Sequence, residues 1–110
     1  MTAKNQLDAP VAPDLALITT TLKIIGGKWR LYTLLVLGEQ TLRYNQLGEL
    51  IPGISPKVLA GELKTLVALG VIQRDVYAQV PARVEYKLTP KGRLALPGLR
   101  ALPQIGQLFT

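Results

Sequence analysis

The side chains of this sequence best placed to act on another molecule are cationic, and the most informative pair is Lys57 and Lys64. Between and beyond them, Leu59, Leu63 and Leu66 recur at spacings of three and four, the apolar stripe of a helix. A step of about 100° per residue then turns Lys57, Gly61 and Lys64 to the opposite side. Two ammonium groups on one free helical face suit a polyanion. Lys57, in the first turn, would meet base edges, and Lys64, two turns along, a phosphate. Arg43 and Arg83 flank this segment in sequence, and a guanidinium at either could reach phosphates or a minor groove. The plain alternatives are a solvated lysine face and surface arginines held by carboxylates, Glu85 for Arg83.

Two neighbours on that helix are ambiguous. Gly61 costs about 1 kcal/mol relative to alanine, and is either tolerated or present so that a backbone can approach DNA closely. Glu62, beside the edge of the leucine stripe, either repels phosphates or accepts a hydrogen bond from cytosine N4.

Other chemistry is poorly supplied. The chain has no cysteine and no histidine, which excludes disulfides, thiolate metal sites and cysteine nucleophiles and removes the usual general base. Its seven carboxylates, Asp8, Asp14, Glu39, Glu49, Glu62, Asp75 and Glu85, stand singly, with no pair at helical i, i+3 or i+4 spacing. No enzyme, cofactor or metal is therefore expected. Thirteen Lys and Arg against seven Asp and Glu give a net charge of +6, which attracts nucleic acid but also serves solubility alone. No apolar run approaches the roughly 20 residues of a membrane span, and residues 1–13 have no signal-peptide pattern, so a cytoplasmic protein is expected.

The elements that would position the cations can be followed along the chain. Residues 1–13 read as a flexible arm. Residues 14–110 read as one domain, mostly α within an α+β class. Asp14 caps a first helix, with Leu15, Ile18, Leu22 and Ile25 on one side and Gly26-Gly27 at its end. A second helix over 28–37 is apolar nearly all round and belongs inside a core, with Trp29 a packing residue rather than a base-stacking one. Residues 41–44 form a short extended piece, and Asn45 caps a short helix carrying Leu47, Leu50 and Ile51. Pro52-Gly53 stops it. Ser55-Pro56 opens the next helix, with a cap hydroxyl and a proline at the first position. Two helices joined through Pro52-Gly53-Ile54-Ser55 fit a helix-turn-helix.

Residues 71–77 and 84–88 read as strands of a hairpin with 78–83 as its loop. Thr89-Pro90 opens a last helix, which Pro97 must kink or divide and Pro103 can disturb again. The order is that of a winged helix with a two- to three-stranded wing sheet and flanking helices. The first and last helices carry more apolar positions than a small core absorbs, so a second copy is expected on them. Leu15, Ile18, Leu22, Leu99, Leu102 and Ile105 are the expected contacts of a homodimer.

Spaced motifs sharpen this reading: Ile25-Gly26-Gly27-Lys28-Trp29, Arg43-Tyr44-Asn45-Gln46-Leu47, Ile51-Pro52-Gly53-Ile54-Ser55, Val80 to Thr89, and Gly92-Arg93 with Leu96-Pro97. Together they resemble the HxlR-type winged-helix transcriptional regulators of bacteria, related in architecture to the MarR group, over roughly residues 17–102. The resemblance implies a dimer on double-stranded DNA, built through its first and last helices. It implies a recognition helix from Ser55 to Leu66, with Ser55, Pro56, Lys57, Ala60, Gly61 and Lys64 toward DNA, and a wing over 78–83. A near-palindromic operator follows, and a small-molecule effector of unspecified identity is compatible with it. Members of the family often sense oxidants through a cysteine near the first helix, which this chain lacks. Ala60-Gly61-Glu62 also stands where their recognition helices tend to carry Gln and Arg. That departure favours an alternative, a winged-helix dimer serving as a protein- or ligand-binding module with weak or no DNA binding.

Overall fold

The computed structural model describes residues 11–110. Most of the arm expected over 1–13 lies outside the described residues, and residues 11–14 are exposed and non-helical. Helix α1 spans Leu15–Ile25, where the Asp14 carboxylate accepts from the Leu17 amide at 3.1 Å. It ends where Gly26 turns left-handed at φ 49° and its amide donates to the Leu22 carbonyl at 2.9 Å. Helix α2 spans Lys28–Leu37. Its immersion is less complete than its composition predicts. Thr33, Leu34 and Leu37 are buried, Trp29, Leu31, Leu35 and Val36 pack half-buried against the core, and Tyr32 is exposed.

Strand β1, Leu42–Arg43, leads into helix α3, Tyr44–Leu50. The cap position is Arg43, not the expected Asn45. A guanidinium offers no acceptor to the helix, so the start is held in the reverse sense, with Gln46 Oε1 accepting from the Arg43 amide at 2.8 Å. Helix α4, Pro56–Ala68, begins as expected, with Ser55 Oγ accepting from the Val58 amide at 3.1 Å. Strands β2, Ile72–Tyr77, and β3, Arg83–Leu88, form an antiparallel hairpin, and β1 joins the other edge of β3 to give the order β1-β3-β2.

Helix α5, Pro90–Gln107, starts with the Thr89 hydroxyl accepting from the Gly92 amide at 3.1 Å. Contrary to a division at Pro97, it continues as one element through both Pro97 and Pro103. Each proline removes one backbone donor, while Leu96, Leu99 and Leu102 keep their packing on the core across the affected turns.

That core is built from both halves of the chain: Leu34 and Leu37 of α2, Leu47 of α3, the leucines of α4, Ile72 and Leu88 of the sheet, and Leu96 and Leu99 of α5. Leu59, Leu63 and Leu66 are 1%, 2% and 0% exposed. Each such burial stabilises by about 1.5–3 kcal/mol, so the rotation of α4 about its own axis is strongly fixed.

Candidate nucleic-acid interface

Because the leucine side of α4 faces inward, Lys57, Ala60, Gly61 and Lys64 are all exposed, as are Ser55 and Pro56 at its start. Apart from its chain neighbours and the backbone of its own helix, no atom of the described residues lies within 4 Å of the position a Gly61 Cβ would take. Nothing in the protomer's own packing therefore requires glycine there. The first turn of α4 is anchored from α3, whose first residue, Tyr44, donates its hydroxyl to the Pro56 carbonyl at 2.7 Å. The Trp29 ring lies against the turn between them, 3.8 Å from where a Cβ at Gly53 would stand. It is a packing residue with Lys28 Nζ 4.5 Å from the ring centroid.

Glu62 has a partner within the protomer that its sequence position does not reveal. Its Oε1 accepts from Arg30 Nε at 2.7 Å, in an ion pair whose side chains are mostly shielded from solvent. The single carboxylate of α4 is thereby neutralised from α2.

The wing differs from expectation at its base. Arg83 is not a loop residue but the first residue of β3, paired in register with Tyr77, so the tip consists of residues 78–82. Its guanidinium carbon lies 4.3 Å from the Tyr77 ring centroid, and Nε is 3.4 Å from Glu85 Oε2 without hydrogen-bond geometry. The carboxylate-held alternative describes Arg83 better than a free cation does. Arg43, by contrast, is exposed. Both arginines border one open cleft of about 270 Å³, which Asn45 also lines.

A second cleft, about 190 Å³, runs between α4 and the inner face of the hairpin, with Lys64 and Arg74 at its rim and Leu63, Val67 and Tyr86 among its lining residues. Arg74 is the cation that sequence reasoning missed. The signal was present: alternation along β2 puts Arg74 on the same sheet face as buried Ile72, and that face looks at α4. Among the described residues, Arg43, Lys57, Lys64 and Arg74 have no carboxylate at ion-pair distance. The wing's carboxylates are occupied elsewhere, Asp75 by Lys87 and Glu85 by Arg83.

Of the residues expected at a dimer contact, Leu15, Ile18, Leu22 and Ile105 are exposed and Leu102 is half-buried on the core. Leu99 is only 5% exposed and belongs to the protomer core, because Pro97 does not break α5 and the helix keeps presenting this residue inward.

A buried leucine stripe, a capped helix start behind a tight turn, and a hairpin alongside form the arrangement of a winged helix-turn-helix. The profile of the HxlR-like helix-turn-helix family matches residues 24–110. The chain belongs to that family. A Methanothermobacter thermautotrophicus protein named as an HTH-type transcriptional regulator is 41% identical over 85 residues, 77% of this chain and 65% of that relative's length. The Bacillus subtilis HTH-type transcriptional regulator YdeP is 40% identical over 92 residues, 84% of this chain and 72% of its own length. Among solved structures, one from Porphyromonas gingivalis, described as a transcriptional regulator of the MarR family, superposes with a TM-score of 0.78 at 35% identity. That match covers 90% of this chain and 97% of the other. Both of these relatives are named as HTH-type transcriptional regulators, and no described helix of this chain is long and apolar enough to cross a membrane.

Proposed function

We propose that the chain binds double-stranded DNA sequence-specifically as a homodimer and regulates transcription at a near-palindromic operator. The observation that carries this reading is α4, with three leucines turned inward and Lys57, Gly61 and Lys64 turned outward beside two clefts whose cations are largely unpaired. Lys57 stands where first-turn residues of a recognition helix read base edges, while Lys64, Arg74 and Arg43 supply phosphate contacts.

Dimerisation is supported by what α1 leaves uncovered. None of its residues is buried, and Leu15 and Leu22 are 74% and 59% exposed. An apolar groove of about 300 Å³ lies between α1 and α5, lined by Thr21, Ile24, Ile25, Ala95, Gly98 and Leu102 with Leu99 at its base. The described residues have a radius of gyration of 17.8 Å, against about 13 Å for a compact single domain of this length. A second copy packed on α1 and α5 covers this surface, and its two-fold axis places the recognition helices about 34 Å apart, one turn of DNA.

The alternative, a winged-helix module with weak or no DNA binding, drew on Ala60-Gly61-Glu62, and of these Glu62 is paired with Arg30, which lessens its repulsion of a polyanion. The test is selection of bound fragments from random DNA, with light scattering on the same sample. An enriched two-fold symmetric motif and a dimer mass are the expected result. No enrichment at low salt, or a monomer at micromolar concentration, overturns the reading.

A further inference from the structure

Arg30 joins three elements through one side chain. It lies in the first turn of α2, its Nε donates to Glu62 on α4 at 2.7 Å, and its Nη1 donates to the Lys23 carbonyl in the last turn of α1 at 2.6 Å. The second bond suits its site, since the carbonyl end of a helix attracts a cation. The side chain reaches Lys23 by crossing the backbone at Gly26, where a Cβ would lie 2.6–2.7 Å from the Arg30 side chain. Gly26 is therefore required twice, for its φ of 49° and for the path of Arg30. A guanidinium is the side chain that can do this, since its planar fork presents separate donors in fixed directions whereas lysine presents one point charge.

We propose that Arg30 is a positioning residue for DNA recognition, coupling the helix expected to dimerise, α1, to the recognition helix, α4. The inference rests on the dimeric DNA-binding reading above. If α1 carries the two-fold contact, the tether from Lys23 through Arg30 to Glu62 sets the angle at which each recognition helix leaves the dimer core, and hence the half-site spacing the dimer accepts. The same contact withdraws the one carboxylate of α4 from the phosphate field. Arg30 touches no DNA itself. Its partners are Glu62 on α4 and the Lys23 carbonyl on α1, so its effect is transmitted through them.

The experiment measures affinity by fluorescence anisotropy for operators whose half-sites are separated by one base pair more or fewer than the selected spacing. The proteins are the wild-type chain, Arg30→Gln, Arg30→Lys and Glu62→Ala. Arg30→Gln is expected to flatten the spacing profile and to weaken the best operator about tenfold, the loss of one charge-assisted hydrogen bond. Arg30→Lys recovers the charge but not the forked geometry, so it restores affinity while the profile stays flat. Glu62→Ala removes both the negative charge and the oxygen that accepts from Arg30, so it does not weaken non-specific binding, yet it too flattens the profile. That pattern separates positioning from a plain loss of stability, which would lower affinity at every spacing alike. A wild-type spacing profile in Glu62→Ala overturns the proposal, even if Arg30→Gln fails to fold. If the wild-type chain selects no DNA, the dimeric DNA-binding reading fails. The tether is then judged by hydrogen exchange in Glu62→Ala: faster exchange in both α4 and the last turn of α1 supports it, and unchanged exchange at α1 overturns it.

Discussion

Tyr44 and Pro56, twelve residues apart at the beginnings of α3 and α4, are joined by a 2.7 Å hydrogen bond from the tyrosine hydroxyl to the proline carbonyl. This bond closes the helix-turn-helix on the side where Lys57 emerges. The turn between the two helices contains Pro52 and a left-handed Gly53 with φ 82°, so the chain leaves α3 stiffly, and the tyrosine then fixes where α4 begins. Tyr44→Phe keeps the ring and removes only this link. It is expected to cost about 0.5–1.5 kcal/mol of stability and to reduce operator affinity more than affinity for random DNA. Urea denaturation and paired anisotropy titrations check both statements, and an equal loss on the two DNAs contradicts the second.

Lys57 and Lys64 share a helix face but are expected to differ in kind. Lys57→Ala removes a first-turn group near base edges and relaxes preference at one operator position while leaving the salt dependence nearly intact. Lys64→Ala and Arg74→Ala each remove a phosphate contact, so each weakens all sequences together and lowers the slope of log K against log salt by about 0.9. Titrations from low to moderate salt read this directly. Unchanged slopes in both variants would take the cleft between α4 and the wing out of the interface.

Much of this arrangement is legible in the sequence because it rests on local signals. Ser55-Pro56 and Thr89-Pro90 each combine a cap hydroxyl with a proline that has no amide to satisfy, and both helices start where those pairs stand. The leucine spacing of α4 gives its inward side. What sequence reasoning could not resolve depends on partners distant along the chain. Glu62 meets Arg30 32 residues away, and nothing in the local pattern of either distinguishes a neutralised carboxylate from one facing DNA. Arg83 reads as a loop cation because the hairpin register, Tyr77 opposite Arg83, is fixed by cross-strand pairing. The start of α3 is misplaced by the usual preference for Asn at a cap, which Gln46 overrides from within the helix.

Gly61 separates stability from recognition. It lies within α4, exposed, with open space where a methyl group would stand. Gly61→Ala is therefore expected to raise stability by about 0.5–1 kcal/mol. If the bare backbone at this position lets α4 seat deeply in a groove, the same substitution weakens operator binding. A variant more stable by thermal unfolding and poorer on its operator is the expected outcome. A variant more stable with unaltered binding would reduce Gly61 to a tolerated residue.

The exposed side of α1 tests the quaternary arrangement without touching the protomer core. Leu22 is 59% exposed and Ile18 42%, so a charge at Leu22 costs little in an isolated protomer. In a dimer that buries this helix it places an unpaired ion in an apolar contact, a penalty of several kcal/mol. Leu22→Lys is expected to yield a folded monomer by light scattering whose melting temperature no longer rises with protein concentration, as it does when association stabilises the native state. Lysine adds positive charge, so weaker operator binding in this variant cannot come from electrostatic repulsion of DNA. It must come from losing the second recognition helix. A Leu22→Lys protein that remains dimeric would place the two-fold contact elsewhere on the chain.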